Sequence, residues 1–505
     1  MNDVVTPWQR RLQSVLAGRA GHALLAAALL AMCVCLGLAS IAPILWLPFA
    51  ALLVGVGLAL VLPRLRVALL VYVGVLYLIN GIANERVRLW GLGRLFTWLP
   101  PELAYLADAT LFFLLGLTLV RLMLGAVRDA PGRHDAIILL LVLTGLASWF
   151  VNRAPFDPAV AAFRLVGVMA AGYFVLKYGF STPSLVVVLS ALWAIAILQF
   201  PLTVLQRFVG VAYFGWGDDL ISGTFSRDPK LTGFQMIFVA LGLAAWLQPA
   251  RTPWRRRLLW SLAAAVGSMT MSSSRVAFVL MPIAGVIVLA GHARRQPRRM
   301  TRIFATFAAM YVAALAIFAL LYGGVGSGGW REVLYYARTP SAVAHYFVAE
   351  PENLAHSEGR LSRAGAVIYL VDNLDRHPGG LLLGVGPGRT TKFNYGAASA
   401  DLTLSTLGVN MTQAGTFLAE FGLVGLVLSI ALAVAAVPLV RRVPRDAPPL
   451  MRIVADAYPA YVAVFVMMQF YSRVWFEAET AFAFWVLTVL VLRASRPGLP
   501  AAGAR

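Results

Sequence analysis

Acidic residues are scarce in this chain. It has 22 Asp and Glu against 42 Lys and Arg in 505 residues, and charged residues of both signs reach only 13%. So little charge cannot cover the surface of a soluble domain. Cysteine is nearly missing. Cys33 and Cys35 stand two apart in one apolar run, which excludes a structural disulfide between them and offers no zinc pattern. The 6 histidines show no metal-ligand spacing, and no Gly-Lys-Ser/Thr follows the Gly-rich run, so a Walker phosphate loop is excluded as well. The apolar runs are continuous rather than alternating, which removes a membrane β-barrel.

What is present is hydrophobic: 60% of residues, with mean hydropathy +0.78. About twenty apolar residues cross the hydrocarbon layer as a helix, and a helix satisfies its own backbone hydrogen bonds there. About fourteen such runs are readable, at roughly 21–40, 43–62, 67–83, 103–120, 136–150, 159–176, 184–205, 231–248, 258–272, 276–291, 303–322, 413–437, 453–471 and 476–492. The first lacks a small-residue cleavage site and reads as a span rather than a signal peptide. Placing alternate connections on opposite sides, with the N-terminus inside, puts the whole formal excess of +20 on the inner side. The basic charge therefore speaks for topology, with both termini cytoplasmic, and against nucleic acid as a partner. The fold expected is an all-α integral membrane protein. Its helices fall into residues 1–322 and 413–505, separated by a large outer loop at 323–412 that contains short helices.

That loop is the longest connection, and loops of such length are commonly functional or disordered. Glu358 to Arg376 reads as an amphipathic helix with Leu361, Ala364, Val367, Ile368, Val371 and Leu374 on one side. Arg360 and Arg363, three apart, project from neighbouring positions. They are ligands for an anion or the solvated face of that helix. Gly384, Gly386 and Gly388 beside Arg389 form a phosphate cradle or a plain turn. Arg275, after Ser272-Ser273-Ser274, is costly at its depth unless paired or facing a wet cavity. It is a phosphate ligand or a side chain reaching the headgroups. Glu420, early in a span, is a general acid or base or a link between helices. Arg207, Arg227, Gln413 and Arg473 are substrate-contact candidates by location. Arg473, Glu477 and Glu479 are also readable as an interfacial turn.

These pieces follow one another in a recognisable order: Gly223-Thr224-Phe225 before a span, then Ser272-Ser273-Ser274-Arg275, then the long loop with Arg360. Gly384-Val385-Gly386-Pro387-Gly388 and Glu420-Phe421-Gly422-Leu423-Val424-Gly425 close the series. The chain resembles the O-antigen ligase/polymerase superfamily of bacterial surface polysaccharide assembly, most strongly over 220–430. The resemblance implies a GT-C-like glycosyltransferase of the bacterial inner membrane, with its active site on the periplasmic face. It implies undecaprenyl-diphosphate-linked glycan as substrate, membrane lipid and a chain-length regulator as partners, and neither metal nor cofactor. Carry-over gives Arg275 and Arg360 the diphosphate. Ligases of the superfamily place a His eleven residues before the first Gly of the Gly422/Gly425 pair. Here that position is Met411, followed by Thr412, and Met cannot accept a proton. A polymerase is thus favoured over a ligase. A polysaccharide transporter would also have about fourteen spans, but with charges deep in many of them and internal repeats; no repeat is visible.

Overall fold

The computed structural model describes residues 63–79, 103–123, 129–210, 221–225, 228–248, 252–272, 274–293, 297–322, 338, 371–372, 374, 376–390 and 412–496. The described residues form helices joined by turns, without strands. In chain order the helices are α1 (Pro63–Ile79), α2 (Leu103–Met123), α3 (Arg133–Asn152), α4 (Phe156–Phe174) and α5 (Thr182–Leu205). Then come α6 (Asp228–Leu247), α7 (Pro253–Met271), α8 (Val276–Ala293) and α9 (Pro297–Tyr322). The short α10 (Gly380–Leu383) precedes α11 (Gln413–Val434), α12 (Pro449–Gln469) and α13 (Ala478–Ala494). Seven of these, extended where helical turns continue, are long and apolar enough to cross a membrane: α3, α4, α5, α6, α9, α11 and α12. Each matches an expected span within a few residues. The expected spans at 21–40 and 43–62 lie outside the described residues.

Boundaries follow local chemistry. The Thr252 hydroxyl accepts from the Arg255 N–H at 3.2 Å, with Pro253 at the first turn of α7. Thr412 does the same for Gly415 at 3.1 Å at the start of α11. Each cap supplies an acceptor that the first turn lacks, contributing about 1 kcal/mol. Two helices end in π-turns, Val175–Gly179 after α4 and Gln206–Gly210 after α5. The carbonyls left over at the first are met by guanidinium groups. Arg121 donates to Gly179 O at 2.6 Å, and Arg493 donates to Lys177 O at 2.9 Å and to Phe180 O. Beside them Lys177 pairs with Asp135, which also accepts from Tyr178 at 2.7 Å.

The bundle is centred on α6, α12 and α13. Nearly every residue of α6 from Leu231 to Ala245 is buried, as is α13 from Glu479 to Val491. An aromatic stack of Phe465, Trp475, Phe484 and Trp485, with ring centroids 4.3 to 5.2 Å apart, ties α12 to α13. Around this core α7 and α8 pack on α6, α1 and α7 on α5, and α11 on α3. The outer helices turn large apolar side chains outward, among them Leu139, Phe150, Val312 and Leu320. Such an outward face suits hydrocarbon rather than water.

Side-chain contacts sort the helix ends into two groups. One end of the bundle gathers the arginine-capped termini just described. The opposite end, where the chain enters and leaves the 323–412 connection, joins the C-terminus of α3 to the N-terminal half of α11. It also joins the α12–α13 turn to Gln413. This second group is called the loop end below.

Candidate functional site

The segment Arg376–Thr390 folds against two helices at the loop end. Asn152, in the last turn of α3, holds it twice: its Nδ2 donates to Gly384 O at 2.9 Å, and its Oδ1 accepts from Gly379 N at 3.0 Å. The Ser148 hydroxyl, one turn earlier, lies 2.6 Å from Leu383 O and 2.8 Å from Glu420 O, sharing its proton between them. Val385 N donates to Ala419 O at 2.7 Å. A small apolar contact of Leu374, Val385 and Leu418 lies underneath.

Two glycines make this approach feasible. Gly422 breaks α11 with φ 69° and ψ −170°, a region open essentially to glycine. A Cβ there would stand 2.1 Å from Leu382 O. Gly388, at φ 83°, runs so close to α4 that a Cβ would meet Pro158 O at 2.1 Å. The break in α11 and the Gly-rich turn are therefore one feature, and each exists because the other comes within contact distance.

Glu420 is completely buried at the centre. Its Oε2 accepts from Gly388 N at 2.9 Å, and its Oε1 accepts from Thr390 N at 3.1 Å and from Thr390 Oγ1 at 2.6 Å. The turn does form an anion cradle, and the anion inside it is the protein's own carboxylate. Beside the cradle Arg389 is half-buried, and its Nη2 lies 3.4 Å from Asn152 O.

Glu420, Gly384, Gly386, Gly388 and Arg389 thus come together. Gln413 binds the α12–α13 turn, of which Arg473 is part. Gln413 N donates to Ser472 O at 2.9 Å, and Gln413 Oε1 accepts from Trp475 N and Phe476 N at 3.2 and 3.3 Å. Arg473 O accepts from Phe476 N and Glu477 N at 2.8 and 2.9 Å, so its backbone shapes that turn. Arg275 and Arg207 belong to other parts of the bundle. Arg275 is exposed on the α7–α8 turn, which Ser274 ties to α6 through Thr232 at 2.7 Å. Arg207 donates to Leu321 O, at the end of α9, at 2.6 Å. Arg227, Arg360 and Arg363 lie outside the described residues, as does most of the helix expected at Glu358–Arg376.

The loop end also contains a cavity of about 150 Å³ among α1, α2, α4, α6 and α13, roofed by the Trp475–Phe476 turn that Gln413 fastens. Two ion pairs line it. Arg164 of α4 binds Asp108 of α2, which also accepts from Tyr77 Oη at 2.8 Å. Lys230 of α6 binds Glu479 of α13 at 2.7 Å. Glu477 and Glu479, expected at an interface, are buried, at 9% and 7% exposure. Glu477 stands in the α12–α13 turn, just ahead of α13. Burial pushes its carboxyl above the usual carboxylate range; nearby Lys230 opposes the shift and Glu479 adds to it.

Asp108 and Arg164 are not among the candidates named from the sequence, although a lone charge within an apolar span is itself a signal. Ser148, Asn152 and Thr390 carry no such signal, because small polar residues near helix ends are common. Comparison with protein-family models and with curated proteins finds no match to this chain.

Proposed function

We propose that the chain is an integral membrane glycosyltransferase that polymerises undecaprenyl-diphosphate-linked repeat units into surface polysaccharide on the membrane face of the long loop. About fourteen spans in a GT-C-like arrangement, in the bacterial inner membrane with both termini cytoplasmic and the loop periplasmic, belong to the same reading. The observation that carries it is the fastening of the Gly-rich turn to α3 and α11, which holds Arg389 half-buried at the loop end. A guanidinium whose position is fixed in advance needs no reorganisation to meet developing phosphate charge, and such preorganisation supplies the largest catalytic term in many enzymes.

In this reading Arg275, Arg360 and Arg389 face the diphosphate, with Arg207, Arg227, Arg363 and Arg473 around the glycan path. The acceptor hydroxyl attacks the anomeric carbon from the side opposite the phosphate, the carbon–oxygen bond to the diphosphate breaks, and configuration inverts. The hydroxyl proton passes to solvent at the rim. Glu420, whose carboxylate accepts from Gly388 and Thr390, is given a positioning role: it holds the turn that carries Arg389. Supplying lipid-linked oligosaccharide to the full-length protein in nanodiscs tests the reading by the ladder of chain lengths. Arg389→Ala, Arg275→Ala and Arg360→Ala should stop the ladder at one unit, with poor rescue by Lys, which lacks the planar fork. Normal ladders from all three variants would overturn it.

A transporter or flippase is the second reading. It is favoured by the broken helix at Gly422 and by ion pairs set within helices, both familiar where substrates cross membranes. Side-oriented proteoliposomes separate the two: chain growth without donor movement fits the enzyme, and donor movement without chain growth fits the transporter.

A further inference from the structure

We infer that the cavity between α1, α2, α4, α6 and α13 is a binding site for one neutral sugar ring. The inference deepens the proposed function and rests on it for the ligand's role, but binding itself needs no turnover. Size comes first. A cavity of about 150 Å³ accepts a single six-membered ring, since benzene fills an engineered one of that volume. That engineered cavity is wholly apolar, whereas this one is lined by charged side chains as well as rings. A dry void is a costly neighbour for two ion pairs, which need further hydrogen bonds to offset their desolvation.

Charge then narrows the chemistry. Asp108 is neutralised by Arg164 and Glu479 by Lys230, so these two pairs bring no net charge to the walls. A charged ligand would be repelled by one member of each pair. A polyol would not, because its hydroxyls both donate and accept, and they can reach the outward faces of the existing pairs.

The third observation is the aromatic lining. Trp475, Phe476, Phe482 and Trp485 all stand among the residues around the cavity. Phe482 and the two indoles add apolar faces against which the C–H side of a pyranose can lie. The cavity is also coupled to the Gly-rich turn through one helix. Gln413, at the start of α11, fastens the roof at Trp475 N, and Glu420, two turns on, holds the turn at Gly388 and Thr390. A glycan whose reacting end lies at Arg389 would thus have a ring site whose roof is fastened by the helix that also holds the Gly-rich turn.

Saturation-transfer NMR on the full-length protein in nanodiscs tests this directly. The probes are methyl β-D-glucopyranoside, methyl β-D-galactopyranoside, N-acetylglucosamine and methyl α-L-rhamnopyranoside, with glycine and inorganic phosphate as charged comparators. At least one glycoside should bind saturably, at about millimolar strength, and neither comparator should compete. Asp108→Asn and Glu479→Gln should each weaken binding roughly tenfold, the loss expected for one good hydrogen bond. Tyr77→Phe keeps the packing and serves if Asp108→Asn fails to fold, as judged by thermal melting. Arg275→Ala should retain sugar binding while losing chain growth, which separates this site from the catalytic proposal. Absence of saturable glycoside binding would overturn the inference. So would competition by glycine or phosphate, or unchanged binding in folded Glu479→Gln and Tyr77→Phe proteins.

Discussion

Glu420→Gln separates a carboxylate that does chemistry from one that holds a turn. The substitution keeps the shape of the side chain and removes one oxygen and the charge. In the native protein the donors to its two oxygens include Gly388 N, Thr390 N and Thr390 Oγ1. A glutamine can turn its oxygen toward Thr390 and keep two of them. Its amide NH2 then faces the Gly388 N–H, donor against donor, in a site with no exposure. One buried unsatisfied donor costs about 1–3 kcal/mol. Two remaining bonds drop from charge-assisted to neutral strength, each losing about 1 kcal/mol. The expected loss is about 3–5 kcal/mol, concentrated in the 379–390 turn. Apparent melting temperature in detergent should fall by several degrees, and limited proteolysis should open the chain near Thr390. On the proposed function, chain growth should fall together with turn order. A Glu420→Gln protein that melts and resists protease like the wild type, yet makes no polymer, would refute the holding role and return Glu420 to the chemistry.

Gly422→Ala should cost about 3 kcal/mol or more, because alanine is strained at that φ and ψ and its Cβ meets Leu382 O at 2.1 Å. Gly116→Ala in α2, where no atom lies within 4 Å of the new Cβ, should instead stabilise by about 0.5–1 kcal/mol in the same melting assay. Asn152→Ala removes both clamps on the turn and should lower stability by about 2–3 kcal/mol, with weaker donor affinity read in KM. Glu477 holds its proton more tightly folded than unfolded, so its contribution is full below the ordinary carboxylate value. That contribution fades as pH rises through the folded-state value. Melting curves across mildly acidic pH should show this slope, and Glu477→Gln should flatten it.

Much of the frame was legible from hydropathy alone. Twelve of the expected spans fall on described helices, because an unbroken apolar run has few other ways to satisfy its backbone in lipid. The Gly-rich run was readable as a close-approach turn, since Gly384, Gly386 and Gly388 leave little room for another purpose. Its occupant was not. Glu420 is thirty-two residues from Gly388, and nothing in periodicity links a carboxylate in one span to amides in a preceding loop. Asp108 and Arg164 are fifty-six residues apart, on helices whose neighbour relation is a packing result.

The sequence by itself determined that this is a bundle of apolar helices, because water, lipid and backbone hydrogen bonding act on local composition. Only the tertiary structure decided that the glycine turn encloses the protein's own carboxylate, and that two ion pairs and two indoles share one cavity. Those are meetings between distant segments, set by how the helices pack rather than by what each contains.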